Sequence, residues 1–252
     1  MFGYRHNMKP LSEVIKDSFC AIESSNLEKR LIFACANPHS LVVAKGNPEF
    51  AKALHNATHL VTDGVGLYMV GRWAGDPVGP RITGSDYFYG LMKDLNDKGI
   101  ETLGRKARVF FLGSSEQVLI LIANRFATDY PNIEFCGSYS PPYREFDEQD
   151  NSAMISVVNT AKPDVLWVGM TAPKQELWVD NIKNRLTVPV IGSIGAVFDF
   201  FAGTYPRAPE WAVRLGLEWV VRLAREPKRM WRRNFVSTPI FLYMALFKSR
   251  KQ

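Results

Sequence analysis

Only three of the 252 residues are cysteine: Cys20, Cys35 and Cys136. Their spacing suits neither a disulfide framework nor a zinc site, and a reducing cytoplasmic compartment is expected. The four histidines, His6, His39, His55 and His59, form no metal-like spacing. No D-x-D triplet occurs, so the usual divalent-metal anchor for a nucleotide sugar is missing. H-E-x-x-H, G-x-S-x-G and G-K-[ST] are missing too, which argues against zinc peptidase, serine hydrolase and P-loop chemistry. The first twenty residues hold no apolar core of signal-peptide length. The most apolar late run, "FVSTPIFLYMALF" (Phe235 to Phe247), is interrupted by Pro239. It falls short of the ~20 residues that a spanning helix needs and is read as a segment that lies on a membrane.

Acidic residues are scarce in one region. From Tyr205 to Gln252 there are 11 Lys/Arg against 3 Glu, a net of +8, whereas residues 1–204 hold 20 basic and 22 acidic residues, a net of −2. The basic character therefore belongs to the last fifth of the chain and suggests a polyanionic or membrane-surface partner. There Trp219, Val220, Leu223 and Ala224 are interleaved with Arg222, Arg225, Lys228, Arg229, Arg232 and Arg233. Such a basic amphipathic segment reads as an interfacial anchor or as a clamp for a diphosphate. Nucleic acid ranks below both, for want of a recognised motif. The expected division is an α/β core over 1–204 and a basic helical appendage over 205–252.

Within the core, short β-rich runs alternate with longer helical patterns. The strands are expected at Arg30–Ala36, His59–Asp63, Arg108–Gly113, Glu134–Tyr139, Asp164–Met170 and Val188–Gly195. Several are apolar at successive residues, as strands covered on both faces are. The alternation predicts βαβ units: a Rossmann-like, mostly parallel sheet flanked by helices. Ligands of such sheets collect beyond the carboxyl ends of the strands.

The residues just after each strand are thus the candidates. In "VTDGVGLYMVGR" (Val61 to Arg72), Asp63 is either a base at the strand end or part of a turn in which Gly64 bends the chain and Asp63 caps the next helix. Taken alone, the stretch favours the turn. "PRITGSD" offers Thr83 or Ser85 as a helix cap with Arg81 nearby, which suits phosphate. "FLGSSEQ" places Ser114 at a strand-to-helix junction whose N–H groups either cradle a pyrophosphate or form an ordinary capped junction, and the stretch alone is a weak signal. In "GMTAPKQELW" Pro173 opens a helix, so that Lys174, Gln175 and Glu176 fall in an exposed first turn at the rim. Asp199, among Phe198, Phe200 and Phe201, is read as structural.

Together the segments "ANPHSLVVAKGNPEFAKALHNATHLVTDGVGL", "PRITGSDYF", "VFFLGSS", "VGMTAPKQELW", "IGSIGAVFDFFAGTYPRAPEW" and "LGLEWVVRLAREPKR" resemble the WecG/TagA/CpsF family of bacterial glycosyltransferases, in the family's order over roughly residues 30–233. The resemblance implies an inverting, metal-independent hexosyltransferase without a cofactor. It implies a UDP-sugar donor, a polyprenyl-diphosphate-linked sugar acceptor and a role in envelope or exopolysaccharide assembly. Asp63 maps onto the proposed base, Asn37 and Gln175 onto substrate contacts, and Arg81 onto diphosphate binding. Lys174 and Ser114 join them at the rim. Arg214, Arg222 and Arg225 match the arginines of a membrane-associating appendage. Where the family often has a hydroxyl residue two before the Asn, this chain has Cys35, which implies altered substrate choice. The protein is expected to be peripheral on the inner face of the plasma membrane, with no nucleic-acid partner and with homo-oligomers compatible. The competing reading is a non-catalytic nucleotide-sugar or phosphate-binding module that recruits a polysaccharide complex.

Overall fold

The computed structural model describes residues 2–24, 26–206, 208–209, 211–212 and 217–248. Six strands form the sheet: β1 (Leu31–Ala36), β2 (His59–Thr62), β3 (Arg108–Gly113), β4 (Glu134–Tyr139), β5 (Val165–Gly169) and β6 (Val190–Ser193). The core helices are α1 (Leu11–Ser24), α2 (Pro38–Gly46), α3 (Pro48–Asn56), α4 (Val65–Trp73), α5 (Gly84–Leu103), α6 (Glu116–Asp129), α7 (Glu148–Ala161), α8 (Lys174–Ile182) and α9 (Val197–Ala202). Then come α10 (Glu218–Arg225), α11 (Pro227–Trp231), a π-helical turn over Arg232–Ser237 and α12 (Thr238–Lys248).

Every pairing in the sheet is parallel, in the order β2-β1-β6-β5-β3-β4. Parallel neighbours need crossovers, and those crossovers cover both faces. The strands show this residue by residue. Phe33, Val109, Phe111, Val165, Trp167 and Val190 face one core with Tyr87, Phe88, Phe126 and Phe201. Phe110, Leu112, Leu166, Val168 and Ile191 face the other with Met154, Val158, Trp178 and Ile182. A third cluster, under the β1–β2 edge, joins Ala34, Ala36, Leu41, Phe50, Leu60 and Leu67 to Phe241 and Ala245 of α12.

The stretch after β1 forms two helices, because Asn47 leaves the helical conformation and caps α3 by accepting the Phe50 N–H, with Pro48 opening that helix. Pro239, expected to interrupt the last apolar run, does not end the helix: it stands at the second residue of α12, directly after the π-helical turn over Arg232–Ser237, and a local π-helical widening accommodates the hydrogen bond that proline cannot donate. No helix among the described residues is long and apolar enough to cross a membrane.

Candidate active site

The carboxyl rim is assembled around the ends of β1 and β2. The Asp63 N–H donates to the Ala36 carbonyl at 2.8 Å, which continues the strand pairing by one step and sets Asp63 beside Asn37. Gly64, at φ +96°, makes the exit from the strand, a conformation that costs glycine little. Gly64 is also the N-cap of α4, and no side chain caps that helix. The turn and the carboxylate are thus separate devices: Gly64 bends the chain, and Asp63 does not cap the helix.

Asp63 is half-buried. Burial raises its pKa above the ordinary carboxylate value. Arg233 pulls it down, Glu218 pushes it up, and Arg81 and Arg222 pull it down. Arg81 is placed by the core, since it bridges to Thr62 and the next N–H, that of Ile82, donates to Thr62 O at 3.0 Å. Glu218, Arg222 and Arg233 come from the tail. Arg222 lies over the Phe200 ring at 5.6 Å. Arg81 and Arg222 each keep a buried Nε without a hydrogen-bond partner among the described residues. Desolvated guanidinium donors without acceptors are costly, and an anionic oxygen would satisfy them.

What brings the tail here is packing. Phe241 and Ala245, one helical turn apart, are 1% and 2% exposed and seat α12 against α2. His39 Nδ1 and Ser237 Oγ meet at 2.7 Å. Burial, and then Arg233 and Arg232, depress the His39 pKa, so its imidazole is neutral.

The remaining candidates divide. Asn37 caps α2, its Oδ1 accepting the Ser40 N–H at 3.0 Å while the Asn37 N–H donates to Ser40 Oγ at 2.8 Å. Ser114 stands at φ +58° after β3, at the point where the crossovers from β3 and β5 leave in opposite directions. Its N–H donates to Gly169 O at 3.1 Å, so this amide does not cradle a pyrophosphate. The neighbouring Gly113 has φ +126°, and a Cβ there would lie 2.4 Å from Gly169 O. The rim at this switch point is therefore closed tightly by backbone.

The exposed first turn expected for α8 is corrected. Gln175 and Glu176 are 5% and 6% exposed. Gln175 shares a face with Trp178, Val179 and Ile182, at i+3, i+4 and i+7, and that face packs on the sheet. The spacing was visible in the sequence, but the first-turn position drew the reading outward. Lys174 alone reaches the surface. Its Nζ donates to the Arg144 carbonyl and sits 3.7 Å from the centre of the Phe146 ring. Thr83, not Ser85, caps α5, in a capping box with Asp86.

In the tail, Arg225 donates to Pro206 O at 2.7 Å and is not among the charges acting on Asp63, whereas Arg222 is. Arg214 lies outside the described residues. Sequence reasoning missed Glu218 and His39, and it named Arg233 only within the basic segment as a whole. Nothing in the local pattern singles these three out. Cys35 receives the Gly84 N–H and lies among Asp63, Glu176 and Asp86. Burial, then those carboxylates, keep it a neutral thiol.

A strand-end carboxylate ringed by arginines from two parts of the chain fits work on a phosphorylated substrate, and the comparisons with known proteins agree. The model for the glycosyl transferase WecG/TagA/CpsF family matches residues 3–252. The chain belongs to this family. A relative from Bacillus spizizenii is 32% identical over 222 residues, covering 88% of this chain and 81% of its own. One from Bacillus subtilis is 27% identical over 249 residues (98% and 92%) and one from Staphylococcus aureus 28% over 244 (97% and 89%). All three are named N-acetylglucosaminyldiphosphoundecaprenol N-acetyl-beta-D-mannosaminyltransferase. The family match runs through the basic tail as well as the α/β core.

Proposed function

We propose that the protein transfers a sugar, N-acetylmannosamine by its relatives' names, from a UDP donor to a sugar carried on a polyprenyl diphosphate. The observation that carries this reading is that positive charge from core Arg81 and from tail Arg222 and Arg233 acts together on the strand-end carboxyl of Asp63. In it, Asp63 takes the proton of the acceptor hydroxyl as that oxygen attacks the anomeric carbon. Partial burial raises the basicity of the carboxylate, and the arginines keep it ionised. UDP leaves with its charge concentrated on the β-phosphate, where guanidinium donors stabilise it. The relatives' names specify a β-mannosaminyl product, and an α-linked UDP-sugar yields a β product through one in-line displacement, which supports inversion.

The appendage over 205–252 has two duties in this reading. Its inner face supplies Arg222 and Arg233. Its outer face exposes Trp231, Phe235, Tyr243 and Phe247 near a row of arginines, a composition suited to an anionic bilayer surface. With no spanning helix among the described residues, a lipid-linked acceptor is met by peripheral binding.

The test is a donor screen: purified full-length protein, a panel of UDP-sugars and short-chain polyprenyl-diphosphate N-acetylglucosamine, read as UDP release. UDP-N-acetylmannosamine is expected to turn over. Nucleotide-sugar binding without turnover of any donor would favour the non-catalytic module instead.

A further inference from the structure

The first turn of α8 hides a carboxyl group that the transfer reaction as written does not use. Gln175 Nε2 donates to Glu176 Oε1 at 2.8 Å, and Gln175 Oε1 accepts the Met170 N–H at 3.3 Å. These two bonds fix which end of the carboxamide points where and leave one Nε2 hydrogen uncommitted. On its other side the amide borders the rim: a Cβ built on Gly195 would lie 3.7 and 3.8 Å from its Oε1 and Nε2, and 3.6 Å from Met170 O. Gln175 therefore stands between the β5–β6 rim and Glu176.

Behind it, Glu176 shares a small cavity with Ile32, Ala34, Ala53 and Val179, and Ser193 lines the same cavity. Its second oxygen, Oε2, is buried and has no partner. Asn56 and Asp180, also at this cavity, bond to each other at 2.8 Å. A lone acid in such a place costs stability unless it does something else. Burial pushes its pKa up to about 7, so near neutrality the carboxyl holds its proton much of the time without losing the acceptor oxygen that faces Gln175.

We propose that Glu176 is a positioning residue for the sugar transfer: from behind the rim it holds the Gln175 carboxamide in one orientation, with the free Nε2 hydrogen presented to a sugar hydroxyl or carbonyl of the bound substrate. The inference rests on the transferase reading above and adds to it a residue that touches no substrate. It separates two roles within a single "QE" pair, one facing the ligand and one facing the core.

A double-mutant cycle on kcat/KM tests it. Gln175→Ala and Glu176→Leu, which fills the carboxyl's volume, are each expected to lower kcat/KM about tenfold or more, the scale of one lost oriented hydrogen bond. The double variant is expected to be no worse than Gln175→Ala alone. Glu176→Gln keeps an acceptor oxygen and the shape, and is expected to stay within about threefold of wild type. Additive losses, or a Glu176→Leu enzyme with wild-type turnover, overturn the proposal. Should Glu176→Leu not fold, Glu176→Asp, which withdraws the acceptor by one methylene, enters the same cycle under the same criterion. Absence of turnover by the wild-type protein would defeat the transferase reading itself, and this inference with it. Turnover with additive losses defeats only the inference.

Discussion

At the amino end of the sheet, Asp164 receives both terminal nitrogens of Arg105, at 2.6 and 2.7 Å, and the Arg108 N–H at 2.8 Å. Arg108 reaches Glu134 at 2.5 Å, and Asp17 binds Lys9 at 2.6 Å. Arg30 donates to three backbone carbonyls, those of Lys183, Leu186 and Val188. At the carboxyl end of the same strands the pattern reverses. Arg81 Nε, Arg222 Nε and Glu176 Oε2 are buried without partners, and the pKa values of Asp63, Cys35 and Glu176 are all raised by burial. One rim has its charges closed into pairs. The other holds charged groups with atoms left unpartnered among the described residues. Structural ion pairs stabilise a fold by being satisfied, and sites work by being left incomplete, so the contrast supports the proposal that the carboxyl rim is the site.

The largest break in that contrast is Asp63→Asn. Turnover is expected to fall about 10²–10⁴-fold, the usual range for a general base, with an unchanged circular dichroism spectrum. Arg222→Ala and Arg233→Ala are expected to cost about 10–100-fold in kcat/KM, as lost charge-assisted bonds do. They should also move the acid limb of the pH profile. Both arginines lower the Asp63 pKa, so removing either shifts the limb to higher pH, whereas Glu218→Gln shifts it to lower pH. An acid limb that stays fixed in all three variants would detach the tail from the base.

Glu176 sharpens the contrast through stability. Its folded pKa, about 7, lies above the ordinary value of 4.5, so the native state holds a proton that the unfolded state releases between those limits. Its stabilising effect is complete below about pH 4.5 and is lost as pH rises through about 7, with a slope of up to about 1.4 kcal/mol per pH unit. Urea midpoints at pH 5 and 7 should show this decline in wild type and a flatter dependence in Glu176→Gln. Arg105→Ala, at the closed rim, has the smallest expected effect. It should cost about 1–2 kcal/mol of stability, low in the range for a charged hydrogen bond because Arg105 is half-exposed, and leave kcat/KM unchanged.

The fold was legible because buried parallel strands announce themselves. "RVFFLG" and "DVLWVG" are apolar on successive residues, and each lies within the predicted bounds. Asp63 was legible as a position but ambiguous as a role, since a turn and a base look alike until the cap of α4 is known to be Gly64. The reading of α8 failed for a different reason. Its first turn was assigned by position along the chain, while its orientation is set by Trp178, Val179 and Ile182 one and two turns later. Arg233 was legible only as one of several basic residues of the tail: about 170 residues separate it from Asp63, and the burial of Phe241 and Ala245 and the His39–Ser237 contact bring the two regions together.

That separation has a consequence in time. Asp63 and Arg81 leave the ribosome well over a hundred residues before Arg222 and Arg233. Until Phe241 docks beneath the β1–β2 edge, a nascent chain carries Asp63 without two of the cations acting on it. In the reading proposed here, such a chain holds a carboxylate that cannot yet stabilise a leaving diphosphate. Competence then appears late and abruptly, with the closing of one aromatic side chain into an already folded core.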